Sequence, residues 1–205
     1  RANGWCCGVS PSCISGDVTM TACPELRTPR LVLRSLTVAD ALAIHALVSA
    51  YEVALNTLSI PHPYPEGAAE AWISTHQDDY DVGREITWGI TAREDGRVMG
   101  VISLRPVKAH RHGEMGYWLG VPYWNQGYMT EAARAVLDYA FGQVGLDRVY
   151  ATHFARNPAS GRVMQKIGMN REGCLRQHVL RWGVPRDLVY YGILRDEWAA
   201  QREGD

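Results

Sequence analysis

The chain has 205 residues, 46% hydrophobic and 21% charged, with 20 Gly and 10 Pro; these are globular values that exclude collagen, coiled coil and general disorder, and the length suits one domain burying about 70% of its unfolded surface. Lys plus Arg total 21 and Asp plus Glu 22, a net charge of −1, which disfavours nucleic acid as a partner. No apolar run reaches the roughly 18 residues of a membrane span, the most apolar stretch, 41–55, being broken by His45, Ser49 and Glu52, so no membrane partner is expected.

Four of the five cysteines, Cys6, Cys7, Cys13 and Cys23, precede the body, which holds only Cys174. A secreted disulfide framework spreads its cysteines through the fold, and no Cys-x-x-Cys pair offers a zinc site; reduced thiols, no metal and a cytoplasmic setting are expected. The segment is rich in Gly, Ser and Thr, lacks periodicity and begins with Arg. Residues 1–24 therefore read as a disordered Cys-rich tail with Met20 a candidate start, and 25–205 as a single domain.

In chain order, Arg30 to Ser35 alternates apolar and polar residues, a strand pattern. Thr37 and Asp40 form a variant capping box, after which Ala41, Ile44, Leu47 and Val48 share one helix face. Prolines make 60–65 irregular, and a helical pattern resumes over 66–80. The β-rich runs 85–92 and 98–106 flank Glu94-Asp95-Gly96, a hairpin signal, and 113–121 is a further strand. Residues 127–144 form the clearest helix, with Ala133, Val136, Leu137, Ala140, Phe141 and Val144 at helical spacings. A strand over 148–154, a helix over 158–167 ended by Gly168, and β runs over 171–181 and 187–194 joined by Trp182-Gly183-Val184-Pro185 complete the pattern.

Gly116-Tyr-Trp-Leu-Gly-Val-Pro-Tyr-Trp-Asn-Gln-Gly-Tyr-Met-Thr-Glu-Ala132 leads from a strand through a short loop straight onto the long helix. Gly127 permits close backbone approach, and the helix N-terminus offers unpaired amides carrying about half a positive charge, an anion cradle suited to a pyrophosphate. Neither a P-loop nor a Gly-x-Gly-x-x-Gly motif is present. On these residues alone, a plain tight turn is an equal alternative.

Tyr117-Trp-Leu-Gly120, Gln126-Gly-Tyr-Met-Thr-Glu-Ala132, Asn157-Pro-Ala-Ser160, Gly168-Met169 and Glu172-Gly-Cys-Leu-Arg-Gln177 together resemble the GNAT acetyltransferase superfamily, and within it the RimJ/RimL branch of ribosomal-protein N-terminal acetyltransferases. The resemblance spans about 26–198. It implies an α/β (α+β) fold: a mixed, mostly antiparallel sheet of about six to seven strands, splayed between the fourth and fifth strands and flanked by about four helices, with acetyl-CoA as co-substrate in the gap. On the family's phosphate loop, Gly127 matches, Met129 takes the last place, and Trp124 stands where a polar residue is usual. The resemblance assigns the pyrophosphate to the amides of Gln126, Gly127, Tyr128, Met129 and Thr130. It assigns the pantetheine arm to the exposed backbone of Leu119 and Val121, has Asn157 either reach that arm or stabilise the loop beyond the fifth strand, and makes Ser160 the proton donor to the thioester sulfur. Many relatives use a Tyr four residues further on, where this chain has Met164.

An ammonium must lose a proton before it attacks a thioester. Glu114, on the pleat face of Gly116 and Trp118, is the first candidate base, because a partly desolvated carboxylate suits that role; a solvated strand-end carboxylate is the alternative. Where the branch carries a Glu beyond Glu172, this chain has Val179. The adjacent His178 is the second candidate, although neighbouring strand residues face opposite sides. His153 reads as a base or a core histidine, His110 and His112 as loop residues, Glu131 as a helix-dipole partner and Cys174 as a buried thiol. The catalytic set is thus Glu114, Ser160 and His178. By analogy, the loop 59–66 and the Trp182 hairpin frame the acceptor; Arg176, Arg181 and Arg186 either dock an anionic partner or are solvated. Three functions fit: acetyl transfer to a protein N-terminal α-amine, acetyl transfer to a small amine such as an aminoglycoside, polyamine or amino acid derivative, or silent acyl-CoA binding. The chain is expected to act as a monomer or homodimer.

Overall fold

A computed structural model describes residues 23–203. Its strands are β1 (Leu26–Arg27), β2 (Leu31–Arg34), β3 (Ile86–Ala92), β4 (Val98–Val107), β5 (His112–Leu119), β6 (Arg148–Phe154), β7 (Asn170–Arg181) and β8 (Val184–Leu194). Its helices are α1 (Ala41–Val48), α2 (Tyr51–Leu55), α3 (Ala68–Ile73), α4 (His76–Asp81), α5 (Tyr128–Tyr139), α6 (Pro158–Lys166) and α7 (Arg195–Glu203). The strands form one sheet in the order β1-β2-β3-β4-β5-β6-β8-β7. Every neighbouring pair is antiparallel except β5 and β6.

The mixed sheet is the expected one, with eight strands because Leu26 and Arg27 add a short edge to β2. The helices outnumber the expected four because α2 and α7 are additional and the helical stretch over 66–80 divides: the Ser74 hydroxyl donates to the Ala71 carbonyl at 2.7 Å and the Thr75 hydroxyl to the Trp72 carbonyl at 2.9 Å, closing α3 before α4 begins. The hairpin after β7 is tight, with Trp182 at φ +52° and Gly183 at φ +73°, so β8 starts at Val184 and not at the expected 187. Residues 1–22, including Met20 and most of the expected tail, lie outside the described residues. Cys23 and Pro24, expected in that tail, belong to the fold: the Trp88 indole donates to the Pro24 carbonyl at 2.7 Å. Burial pushes the Cys23 thiol up to about 11, with a Ser35 contact acting against it.

Helices cover the two faces of the sheet unequally. On one face α5 buries Ala133, Val136 and Leu137 against Trp88, Ile102, Leu104 and Met115. On the other, α1 and α3 bury Ile44, Val48 and Ile73 against Val98 and Val101. With both faces covered, β3 is buried along its whole length. The capping box forms as expected: the Asp40 carboxylate accepts from the Thr37 amide at 2.8 Å and hydroxyl at 3.1 Å, and from both Arg34 amino groups at 2.9 Å. The Arg34 fork, more than the Thr37 bonds, holds Asp40 down at about 2 although burial opposes it. A carboxyl depressed in the folded state adds stability above its unfolded value near 4 and loses it as pH falls through the folded one. Asp40→Asn is therefore expected to cost about 2 kcal/mol at pH 7. In chemical denaturation, the gap to the parent should shrink as pH falls from about 4 towards 2; a gap independent of pH would mean the ion pair contributes nothing.

The parting of β5 from β6 positions the site. They pair only across His112↔Arg148, Gly113↔Val149 and Glu114↔Tyr150. Beyond that rung, β5 stays bound to β4 as far as Gly100↔Leu119, and β6 to β8 as far as Phe154↔Leu188. Each strand follows its outer neighbour, so the inner edges diverge. These are the fourth and fifth strands expected from the sequence, one number higher because of β1.

Candidate active site

Two cavities meet at this parting. One of about 400 Å³ lies on the α5 side and one of about 640 Å³ on the α1–α3 side; Gly116, Tyr117, Trp118, Thr152 and His153 line both. Strand alternation explains the division. Met115, Tyr117 and Leu119 pack towards α5, while Glu114, Gly116 and Trp118 border the other cavity.

The first cavity ends at the start of α5. Asn125 at φ +59° and Gly127 at φ +81° both occupy the left-handed region, which turns successive N–H groups inward. The first bond of the helix runs from the Glu131 amide to the Gly127 carbonyl at 3.1 Å. The amides of Tyr128, Met129 and Thr130 precede it, and these residues line the cavity with Gly127. Gln126, expected in the same set, does not line it: its side chain donates to the Pro122 carbonyl at 2.7 Å, and its own carbonyl accepts from Arg30 at 3.1 Å. Arg30 braces the turn from behind, 4.5 Å from the Tyr128 ring centroid and 2.6 Å from Glu131 Oε2. Glu131 also accepts from the Thr28 hydroxyl at 2.6 Å and the Arg30 amide at 2.9 Å. Burial alone would raise its carboxyl, but these bonds together hold it below the ordinary range. Arg162 and Lys166, one turn apart on α6, add positive charge to the wall; no motif marked them in the sequence.

The unpaired edge of β5 runs from Met115 to Leu119. The expectation that it continues through Val121 is corrected. Val121 lies in a single 3₁₀ turn, and its carbonyl accepts from the Trp124 amide at 3.2 Å, since Pro122 cannot continue a ladder. The Trp124 indole donates to the Leu119 carbonyl at 2.8 Å, so this departure from the polar pattern closes the end of the strand. Asn157 caps α6, its Oδ1 accepting from the Ser160 amide at 3.4 Å.

Ser160 faces a partner the sequence reading missed. The Tyr117 hydroxyl lies 2.9 Å from Ser160 Oγ and 3.1 Å from the Ser160 carbonyl. A phenol has one proton; when Tyr117 gives it to Oγ, the serine proton is free for the cavity. Burial drives the Tyr117 phenol far above its ordinary range, against the Ser160 bond, so it stays protonated at neutral pH. The one available signal was the α5-facing pleat that Tyr117 shares with Met115. Met164, where many relatives have Tyr, is only 1% exposed.

Glu114 borders the second cavity, on the last rung before the strands part. Its carboxylate is 32% exposed and 3.8 Å from Arg105, whose Nε is 2.9 Å from Glu85. His153 Nδ1 lies 2.8 Å from the Phe154 carbonyl, which assigns the proton to Nδ1; its Nε2 is enclosed against Gly161 without a partner among the described residues. Burial lowers the ring's pKa, so it is neutral.

His178 lies apart from the two cavities. Between Leu175↔Leu188 and Val179↔Arg186, β7 carries three residues against one on β8, and Gln177 takes φ +50°. This bulge leaves His178 exposed beside the Tyr190 ring, bordering neither cavity. Arg181, 6% exposed, is neither solvated nor a docking group: it donates to the carbonyls of Ala54 at 2.7 Å, Leu58 at 2.8 Å and Ile60, and lies 4.2 Å from the Trp182 ring. It straps the hairpin to the loop that supplies Ser59, Pro61 and Tyr64 to the second cavity. Cys174 is a half-buried free thiol packed on the core. Among the described residues, no group of three His, Cys, Asp or Glu could hold a metal ion, and no helix is long and apolar enough to cross a membrane.

A family model described as an acetyltransferase (GNAT) domain matches residues 30–170. The chain is 35% identical over 173 residues to the uncharacterized N-acetyltransferase YoaA of Bacillus subtilis (strain 168), covering 84% of this chain and 97% of that one. It is 24% identical over 143 residues to the [ribosomal protein uS5]-alanine N-acetyltransferase of Escherichia coli (strain K12), covering 69% and 73%. Its fold matches that of RimL, a ribosomal L7/L12 α-N-protein acetyltransferase solved with coenzyme A, at a TM-score of 0.78 and 18% identity over 85% of this chain and 99% of that one.

Proposed function

We propose that this chain, which belongs to the GNAT acetyltransferase family, transfers acetyl to the α-amine at a protein N-terminus. As a member of that family it is an N-acetyltransferase with acetyl-CoA as co-substrate. The observation that carries the acceptor reading is the extent of the second cavity. At about 640 Å³ it reaches Phe154 and Leu188. In the other direction along the same pleat face of β6 and β8, from the Thr152↔Tyr190 rung towards Glu114, lie partly exposed Tyr190 and Tyr150, their rings stacked at 6.3 Å. An extended peptide can lie along such a surface, whereas a small amine would use little of it. The name of the uS5-alanine relative points the same way.

In this reading, the amides of Gly127, Tyr128, Met129 and Thr130 take the diphosphate, and the free edge of β5 pairs with the pantetheine arm as an added strand. A β5 N–H stabilises the developing oxyanion. Glu114 removes a proton from the incoming ammonium, the amine nitrogen bonds to the thioester carbon, and the C–S bond breaks. The departing sulfur takes the Ser160 proton and Tyr117 passes its own to Ser160; the second proton of the attacking nitrogen, lost as the amide forms, returns through solvent to restore the Tyr117 phenol. Holding both reactants in one slot contributes about 7–11 kcal/mol.

Tyr117→Phe should lower kcat about tenfold or more, the range of one positioned proton donor, with KM for acetyl-CoA nearly unchanged; an unaltered kcat would leave Ser160 acting alone. The function itself is tested by thiol release from acetyl-CoA with Ala- and Ser-initiated peptides beside a polyamine, an aminoglycoside and free amino acids. Peptide turnover is the expected result. Turnover confined to small amines, or CoA binding without turnover, would overturn the reading.

A further inference from the structure

We infer that Arg156 and Arg186 form a subsite for an acidic side chain near the N-terminus of the acceptor, an inference that rests on the protein N-terminus reading. Several arginines of the fold have carboxylates: Arg30 with Glu131, Arg34 with Asp40, Arg105 with Glu85, Arg148 with Glu172. Among the described residues Arg156 and Arg186 are two of those with none, and they are the two that flank the Phe154↔Leu188 rung. Arg156 donates only to the Leu55 carbonyl, and Arg186 makes no hydrogen bond or ion pair, its enclosed Nε included. The charge of Arg186 reaches Arg156: burial first, then Arg186, lowers the pKa of Arg156. The third cation nearby, Arg181, is committed to backbone carbonyls. The neighbouring carboxylate, Asp187, accepts from the Gln177 amide at 2.8 Å. Two adjacent guanidinium groups without a counter-ion create a positive potential that a carboxylate would neutralise, and their fork geometry suits one.

Their position links this charge to the acceptor path. The rung Phe154↔Leu188 borders the second cavity. Arg156 follows Phe154 by two residues, its guanidinium 5.9 Å from that ring, and Arg186 precedes Leu188 by two on the same pleat face. Thr152, where the cavities meet, lies two residues, about 7 Å, before Phe154. An extended acceptor advancing about 3.5 Å per residue with its amine at the meeting point would therefore bring its third or fourth residue to the arginine pair.

The test compares kcat/KM for Ser-initiated hexapeptides carrying Asp or Asn at positions two to four, at low and high salt, with glutamate and its amide as small-molecule arms. The Asp peptides should be favoured about tenfold or more through KM, and salt should erode the preference. Arg186→Gln and Arg156→Gln should each reduce it to about twofold or less, and Arg186→Glu should turn it towards Lys-containing peptides. Thermal unfolding and CoA binding report whether each variant is folded. Equal turnover of Asp and Asn peptides would overturn the subsite while leaving the N-terminal function standing. So would a preference surviving in a folded Arg156→Gln, Arg186→Gln double variant. Turnover of glutamate alone, with no peptide accepted, would overturn both.

Discussion

Glu114→Gln is expected to lower kcat about a hundredfold at pH 7 and to leave acetyl-CoA binding intact, the range for loss of one general base. Glu114 borders the cavity on the α1–α3 side of β5, whereas the proposed diphosphate amides lie on the α5 face. Glutamine keeps the shape of the side chain and its contact with Arg105 but cannot take a proton. The effect should depend on pH through the acceptor. A peptide α-amine titrates at about 7.7–8.0, so above that range it arrives neutral and needs no base. The gap between parent and variant, measured by thiol release from pH 6 to 9.5, should therefore narrow as pH rises. A variant as active as the parent at pH 7 would assign the proton to another acceptor, with His153, which lines both cavities, the next to test.

Gly100→Ala should be the most damaging single change to the fold among those at the site. A Cβ at residue 100 would lie 2.3 Å from the Trp118 carbonyl oxygen and 2.8 Å from the Leu119 Cα. Both are backbone atoms of β5 and cannot rotate away, so the strand itself must move off the Gly100↔Leu119 rung. Overpacking of this kind costs about 3 kcal/mol, or about 6–12 °C in Tm for a chain of this size. Displacing the edge proposed to bind pantetheine should also weaken CoA binding. Gly96→Ala is the control: nothing lies within 4 Å of its Cβ, but its φ is +73°, so only the left-handed backbone penalty of about 1 kcal/mol applies. Calorimetry should separate the two variants clearly, and equal melting temperatures would refute the argument from close approach.

The elements around the site were legible because their signals are local. The apolar periodicity of 127–144 marked α5, which continues as a π turn over Ala140–Val144. Gly127 was readable as a turn glycine and takes φ +81°. Leu119, Gly127, Tyr128, Met129, Thr130, Asn157 and Ser160 were named from motif order, and all line the first cavity. Val121 was not legible as a turn residue because a run of β-formers hid the effect of Pro122. The exposed position of His178 was not legible because a bulge changes which way a strand residue faces, and nothing in 171–181 marks one.

The order of residues by itself thus determined the strands and helices, the glycine turn entering α5 and the family, since each rests on the preferences of neighbouring residues for a backbone shape. Tertiary structure alone decided what those elements bring together: Tyr117 with Ser160, 43 positions apart, Trp124 over the end of β5, and Arg181 on the carbonyls of Ala54, Leu58 and Ile60. Such meetings depend on strand register and on where two strands stop pairing. Those are set by the balance of packing over the whole sheet, which no window of sequence contains.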